Sequence, residues 1–440
     1  MWRGIAQGTG VAIALTHHIR KQGSAGEVSA DDLRGAVRGI DVGFGQEDAQ
    51  QLRFLDPPCP QQQALFLAQY LSVADVQGDS ACTVAADDDR TMNWMIYGAN
   101  GFTGSLLARA AGGRGMRPVL AGRNEAQVRQ RAEELGLEWK AFRLDDAATV
   151  RSAIDGCGLV LHCAGPFSAT AAPMIRACLA AGVHYLDITG EIPVFEYAHS
   201  LAAEARRADV VLLPGVGFDV VPSDCLAASL VEALPAATEL CLAFEATGGP
   251  SPGTAKTGVE GLARGGCVRR CGKLTPVPLA WKDRRIPFAH GERTAMTIPW
   301  GDVYTAYVST GVPDIEVYMS MPPATVARLR RLRWAQPLLR LGAVQSFLKK
   351  RIEGRVRGPR DEVRERSYCE LWGQARSADG RTVSATMTTP NGYDVTVAAG
   401  LGIVQHLLAN AVEGGYYTPS LLMGSAYAAS LPGVRFRRVS

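Results

Sequence analysis

The residues whose types and spacing are best suited to chemistry begin at position 98. An apolar run, Met95-Ile96-Tyr97, leads into Gly98-Ala99-Asn100-Gly101-Phe102-Thr103-Gly104, and Ser105-Leu106-Leu107-Ala108-Arg109-Ala110 then reads as a helix. A G-x-x-G-x-x-G turn between strand and helix has the spacing of a dinucleotide site. The first glycine permits the tight turn, the second lets backbone approach a pyrophosphate, and the third lets the helix pack closely on the strand. Free N–H groups and the positive dipole end of the helix complete the anion site. The next strand, 117–121, runs into Gly122-Arg123-Asn124. An NAD-selective site would carry Asp or Glu near this strand end, to accept from the ribose 2′-hydroxyl. Arg123 stands there instead, and a guanidinium can pair with a 2′-phosphate and stack on the adenine. The expected cofactor is therefore NADP(H).

Later strand ends extend the crevice. Asp145 follows a short strand at 139–143, Ala164-Gly165-Pro166-Phe167 follow a strand at 159–163, and Gly190 follows one at 184–188. All sit where a cofactor runs across the carboxyl edge of a parallel sheet, so the cofactor set is Gly98, Asn100, Gly101, Phe102, Thr103, Gly104, Arg123, Asn124, Asp145, Ala164, Gly165, Pro166, Phe167 and Gly190. Asp187 and Glu191 are carboxylates near the same edge, with orienting or structural roles both open. His162 and His184 read as satisfied sheet histidines. Candidates for a proton donor or orienting group are Tyr185, Asp219 and Lys256. No metal site is expected: the ten cysteines include no C-x-x-C, and Cys267 and Cys271 lack a second ligand pair. They read as reduced thiols used as small hydrophobes, which fits a reducing cytosol.

Stepping along the chain, helices are expected over 125–135, from 150, 173–181 and 193–207, alternating with the strands above and one at 210–213. That alternation predicts a mainly parallel, doubly wound α/β sheet with helices on both faces. Beyond Pro222-Ser223-Asp224, a helix to 234 is followed by strands at 238–246, 284–289, 294–298, 315–321, 367–376 and 382–388. A helix over 254–264 and an apolar one over 395–411 join them, and Ala378-Asp379-Gly380 supplies a hairpin turn. This half predicts a second α+β domain with a mixed or antiparallel sheet, covering the nicotinamide and shaping a substrate pocket.

At this point a family resemblance emerges. The Gly98–Gly104 turn, Gly122-Arg123, Ala164-Gly165-Pro166-Phe167, Tyr185-Leu186-Asp187-Ile188-Thr189-Gly190-Glu191 and Pro214-Gly215-Val216-Gly217-Phe218-Asp219-Val220-Val221-Pro222-Ser223-Asp224 form one series. Gly253-Thr254, Gly392-Tyr393 and Tyr417-Thr418-Pro419 continue it. The series resembles the saccharopine dehydrogenase-like oxidoreductases, in particular the branch containing the trans-acting enoyl reductases of lipid and polyketide assembly. The resemblance spans about 92–440. It implies an NADP-binding Rossmann domain (92–222), a substrate domain (223–390) and a C-terminal segment (391–440) that returns to the first domain.

Residues 1–91 fall outside it. They carry seven basic and twelve acidic residues, a Pro/Gln patch at 57–63 and the run Asp87-Asp88-Asp89, and read as a poorly ordered extension or a mis-called start. The remainder is basic, and the excess is concentrated in residues 328–366, where thirteen Lys or Arg face four Asp or Glu among interleaved leucines. Pro337 should break any helix there. Such a segment suits an anionic membrane or an acidic partner such as an acyl carrier protein, placing the protein in the cytoplasm or on the inner face of a membrane. Nucleic acid is not expected, since the bases alternate with leucines and no recognition module is present. The composition, 47% hydrophobic and 20% charged, excludes global disorder, and the 48 glycines follow no three-residue period, which excludes collagen.

The leading expectation is an NADPH-dependent reductase of a C=C bond in a hydrophobic or carrier-tethered enoyl substrate. The alternatives are a saccharopine-type C=N reductase, whose polyanionic substrate calls for convergent arginines, and an NADP-binding lipid-surface or scaffold protein without turnover. The sequence leaves the oligomeric state open.

Overall fold

The computed structural model describes residues 93–438; the leader at 1–91 lies outside the described residues. Two sheets organise this part of the chain.

The first is built from β1 (Trp94–Tyr97), β2 (Val119–Gly122), β3 (Trp139–Ala141), β4 (Leu159–His162), β5 (His184–Asp187) and β6 (Val211–Leu213). All pair in parallel, in the order β6-β5-β4-β1-β2-β3. Each face of this sheet is covered, so its strands are apolar on both sides. Trp94 and Ile96 point into one buried cluster, and Met95 and Tyr97 into another. Fully burying a side chain such as Ile96 stabilises the fold by about 2–3 kcal/mol. The strand order reverses between β1 and β4, which opens a crevice at their carboxyl ends.

The second sheet comprises β7 (Ala237–Ala246), β8 (Gly266–Arg270), β9 (Lys273–Val277), β10 (Asp283–Phe288), β11 (Gly291–Thr297), β12 (Asp314–Ser320), β13 (Tyr368–Ser377) and β14 (Thr382–Pro390). It is mixed: β7 and β12 are parallel, and the remaining pairs are antiparallel. The chain then returns to the first sheet. The Gly392–Ala409 helix packs on the Phe102–Gly113 helix, and β15 (Gly415–Tyr416) pairs with β6. Last, β16 (Arg435–Arg438) joins the second sheet beside β14. The Val221–Ala233 helix stands between the sheets, and one apolar core runs through it from Ile96 and Leu213 to Leu242, Leu371 and Met387.

Some local expectations differ from the structure. The helix expected from Pro173 begins at Phe167, with Pro173 inside it. Its first amides are held by a carboxylate distant in sequence, which outweighs the hydrogen bond that proline removes. The helix expected over 193–207 is two, Ile192–Ser200 and Ala202–Arg207, broken at Leu201. The β8–β9 hairpin and the Asp302–Thr310 helix were not expected.

Candidate active site

The glycine-rich turn has the shape of a phosphate cradle. Gly98 has φ of +87°, and a Cβ there would come within 2.8 Å of the Ala164 amide nitrogen at the end of β4. A Cβ on Gly104 would come within 2.2 Å of the Gly98 carbonyl oxygen, so only glycine lets the helix sit this close to the turn. The helix starts at Phe102 with Gly101 as its cap and no side chain on its first amides, leaving donors for an anion. Arg123 is exposed just past the end of β2. These features fit a dinucleotide with a 2′-phosphate: the Gly98–Gly104 backbone would hold the pyrophosphate, and Arg123 the extra charge.

Not every residue of the expected cofactor set offers its side chain. Asn124 is a helix cap, its carbonyl oxygen accepting from the Gln127 amide at 3.1 Å. Asn100 donates to the Gln127 side chain at 2.8 Å, and Asp145 is exposed and ion-paired with Arg143 at 2.7 Å. Phe102 meets Tyr393 edge-on, with ring centroids 4.9 Å apart. Thr103 lies in the helix's first turn. The Ala164 carbonyl accepts from the Thr170 hydroxyl, and Gly165-Pro166 lead into the second helix N-terminus. There the Glu191 carboxylate accepts from the amides of Phe167 and Ser168, at 3.0 and 2.9 Å. This anion site is thus filled by the chain itself. Burial raises the pKa of Glu191, and the neighbouring Glu260 adds to the effect.

The three catalytic candidates separate. Tyr185 is buried within the core, and its hydroxyl donates to Asp187 at 2.7 Å. Its inward register on β5 removes it from the crevice, which corrects the expectation of a proton donor. Asp187 also accepts from the amides of Thr189 and Gly215, both at 2.9 Å, and so ties the ends of β5 and β6 together. Burial pushes its carboxyl up to about 6. Lys256 is half-buried on the Pro252–Arg264 helix. It stands one turn before Glu260, whose carboxylate accepts from the Ser168 hydroxyl at 3.4 Å.

Asp219 is the candidate that the fold places at the crevice. Its side chain lies against Gly190, where a Cβ would come within 3.1 Å of Oδ2. Burial, assisted by the negative charge of Glu191, pushes its carboxyl up to about 7. Its backbone carbonyl accepts from Trp300 Nε1 at 2.8 Å. Trp300 packs on Phe244 at 4.8 Å between centroids, and Phe244 meets Phe218 edge-on at 6.1 Å. An aromatic wall drawn from both sheets is therefore tied to the backbone of Asp219, whose carboxyl is held near neutrality. His162 is buried and contacts Thr170, and burial pushes its pKa down to about 3. His184 accepts from the Val211 amide. Both are structural. Trp300, Phe244 and Phe218 carried no local signal in the sequence, because only the folded sheets bring them together.

Comparison with known proteins agrees with this geometry. Residues 94–213 match the family described as saccharopine dehydrogenase NADP binding domain. A putative trans-acting enoyl reductase of Mycobacterium tuberculosis is 32% identical over 192 residues, which cover 40% of this chain and 45% of that relative. A trans-acting enoyl reductase of Mycobacterium leprae is 32% identical over 147 residues, covering 31% of this chain and 35% of the relative. The matched stretch thus spans less than half of each relative. Among solved structures, a saccharopine dehydrogenase (L-Glu forming) from Saccharomyces cerevisiae superposes with a TM-score of 0.55 at 11% identity, covering 79% of this chain and all of that one. The two-sheet architecture is thus the saccharopine dehydrogenase fold.

Proposed function

We propose that the chain is an NADPH-dependent reductase of a carbon–carbon double bond conjugated to a carbonyl, in a hydrophobic or carrier-tethered substrate, with Asp219 as the proton donor. The observation that carries this reading is Asp219, bonded through its backbone to the Phe218–Phe244–Trp300 wall, with its carboxyl held near pH 7. NADPH supplies a hydride when bound. Reduction of C=C also requires a proton at the neighbouring carbon, and an acid with a pKa near the working pH is the most effective donor. The aromatic wall excludes water and gives an apolar acyl chain a surface to pack on. Asp219 gives up its proton in each turnover and recovers one from solvent, so the reaction balances as hydride plus proton. The names of the mycobacterial relatives support the enoyl class. A polycarboxylate imine substrate would call for several arginines at the wall, and aromatic side chains stand there instead.

The test is NADPH oxidation with enoyl-thioester, imine and carbonyl panels. Turnover of enoyl thioesters is expected, with Asp219→Asn lowering kcat by about 10²–10⁴-fold while NADPH affinity is kept. In the parent the rate should fall above pH 7 as Asp219 loses its proton. Turnover confined to imines, or none with any panel despite tight NADPH binding, would overturn the proposal.

A further inference from the structure

The basic segment turns part of its apolar surface outward. After the Pro323–Leu332 helix it forms a 3₁₀ turn (Arg333–Ala335) and two helices, Gln336–Leu339 and Gly342–Arg355. Pro337 lies in the first turn of the middle helix, where the chain breaks. The side chains that point inward are largely polar. Arg333 donates to the carbonyls of Leu279 and Ala280, at 2.7 and 2.8 Å. Gln336, Arg340 and Gln345 donate to the carbonyls of Leu262, Ala263 and Val259 on the Pro252–Arg264 helix. Two of these, Leu262 and Ala263, lie in that helix's last turn, where carbonyls lack intrahelical donors. Leu339, Val344 and Leu348 are half-buried, but four other apolar side chains are turned outward. Trp334 is 93% exposed, Leu338 61%, Leu341 53% and Phe347 61%, the four most exposed large apolar side chains among the described residues. A helix on a soluble domain ordinarily does the opposite, with its apolar stripe inward. Arg331, Lys350, Arg351 and Arg355 are exposed around them.

We infer that this surface is a docking face for an anionic membrane. Trp, Phe and Leu standing out among Lys and Arg have the composition of an interfacial segment: aromatic and aliphatic groups enter the headgroup boundary while the bases meet anionic lipid. A solvated basic face would account for the charge but not for four outward apolar side chains within fourteen residues. The whole 328–366 stretch carries an excess of nine positive charges, which complements an anionic leaflet. No helix of the described residues is long and apolar enough to cross a membrane, so the contact is peripheral. The Pro252–Arg264 helix that supports this face also reaches Ser168 at the crevice through Glu260, so membrane contact and cofactor site share one structural support.

Flotation of the full chain with vesicles tests this without reference to activity. Vesicles of phosphatidylcholine with about one-third phosphatidylserine should retain the protein at least tenfold better than phosphatidylcholine alone, since each basic contact strengthens binding about fivefold. The double variant Trp334→Ser/Phe347→Ser should lose about tenfold or more on the anionic vesicles, and Lys350→Ala/Arg351→Ala should lose their preference for anionic lipid. These positions are exposed, and an unchanged circular-dichroism melt shows that the fold is kept. Equal retention on both vesicle types, or apolar variants that float like the parent, would overturn the inference. So would retention by an acidic carrier protein with none on vesicles, which would assign the face to a protein partner.

Discussion

Asp302 gives the sharpest test of the packing between the sheets. It opens the Asp302–Thr310 helix and is fully buried, and among the described residues neither carboxyl oxygen meets a hydrogen-bond partner in bonding geometry. The hydroxyl of nearby Ser223 is directed to the Val220 carbonyl at 3.2 Å. Burial, with the charges of Asp224 and Asp219 adding to it, raises its pKa well above the ordinary carboxylate range. An unfolded aspartate loses its proton near pH 3.9, whereas the folded residue keeps it. Above that pH the folded state binds more protons than the unfolded state, so stability falls as pH rises, by about 1.4 kcal/mol per unit. Asp302→Asn replaces the neutral acid with a neutral amide of similar size and removes this slope. The variant should match the parent most closely near pH 5 and gain on it as the pH rises, for as long as the folded Asp302 keeps its proton. Asp187 and Asp219 also titrate upward, but they do so in both proteins and cancel in the difference. Urea unfolding followed by tryptophan emission at pH 5, 6 and 7 measures the gap. Parallel pH dependences, or a variant weakened equally at every pH, would refute the reasoning and mean that Asp302 is ionised in the folded chain.

Three further predictions concern the cofactor and the proton. Arg123→Ala should weaken NADPH binding about 10–100-fold, the worth of a charge-assisted hydrogen bond, and leave NADH binding unchanged; equal losses for both in titration calorimetry would contradict the 2′-phosphate role. Gly104→Ala must move its helix by about 1 Å to relieve the 2.2 Å approach to Gly98. A displacement of that size can cost about 10²-fold, so NADPH affinity should fall accordingly while the circular-dichroism spectrum stays native. Glu191→Gln removes a charge that helps raise Asp219, so the alkaline limb of the pH–rate profile should move below pH 7; a limb that stays or moves upward would show that the two carboxyls do not interact.

The cofactor half was legible because its chemistry is local. Gly101 and Gly104 are required by contacts within one turn and Gly98 by its positive φ, and β1 and β2 are short apolar runs that lead into or end in glycine. Helix 125–135 was readable to the residue, since Asn124 caps it and Gly136 closes it in the left-handed region. What the sequence hid depends on partners far along the chain. The start of the Phe167–Ala181 helix is fixed by Glu191, and Tyr185 reads as a crevice phenol until its register on β5 turns it toward Asp187. The basic segment 328–366 shows the same limit. Its charge excess and the break at Pro337 are visible in composition, but the outward direction of Trp334 and Phe347 follows from carbonyls on a helix some 75 residues earlier.

The raised pKa of Asp219 is likewise a property of the junction between the sheets. Asp219 follows β6 of the first sheet, and Trp300 follows β11 of the second; the indole bond to the Asp219 carbonyl closes one side of the junction. Glycines close the other side. A Cβ on Gly190 would press on the Asp219 carboxyl, and one on Gly301 would come within 2.8 Å of the Phe195 ring and 3.4 Å of the Gly190 carbonyl. With no side chain at either position, backbone from both sheets packs close to this junction. Desolvation favours the protonated acid, and Glu191 adds the repulsion of a like charge. Sheet closure, the aromatic wall and the raised pKa of Asp219 are therefore one arrangement: whatever separates the sheets admits water to the carboxyl and draws its pKa back toward that of an ordinary aspartate.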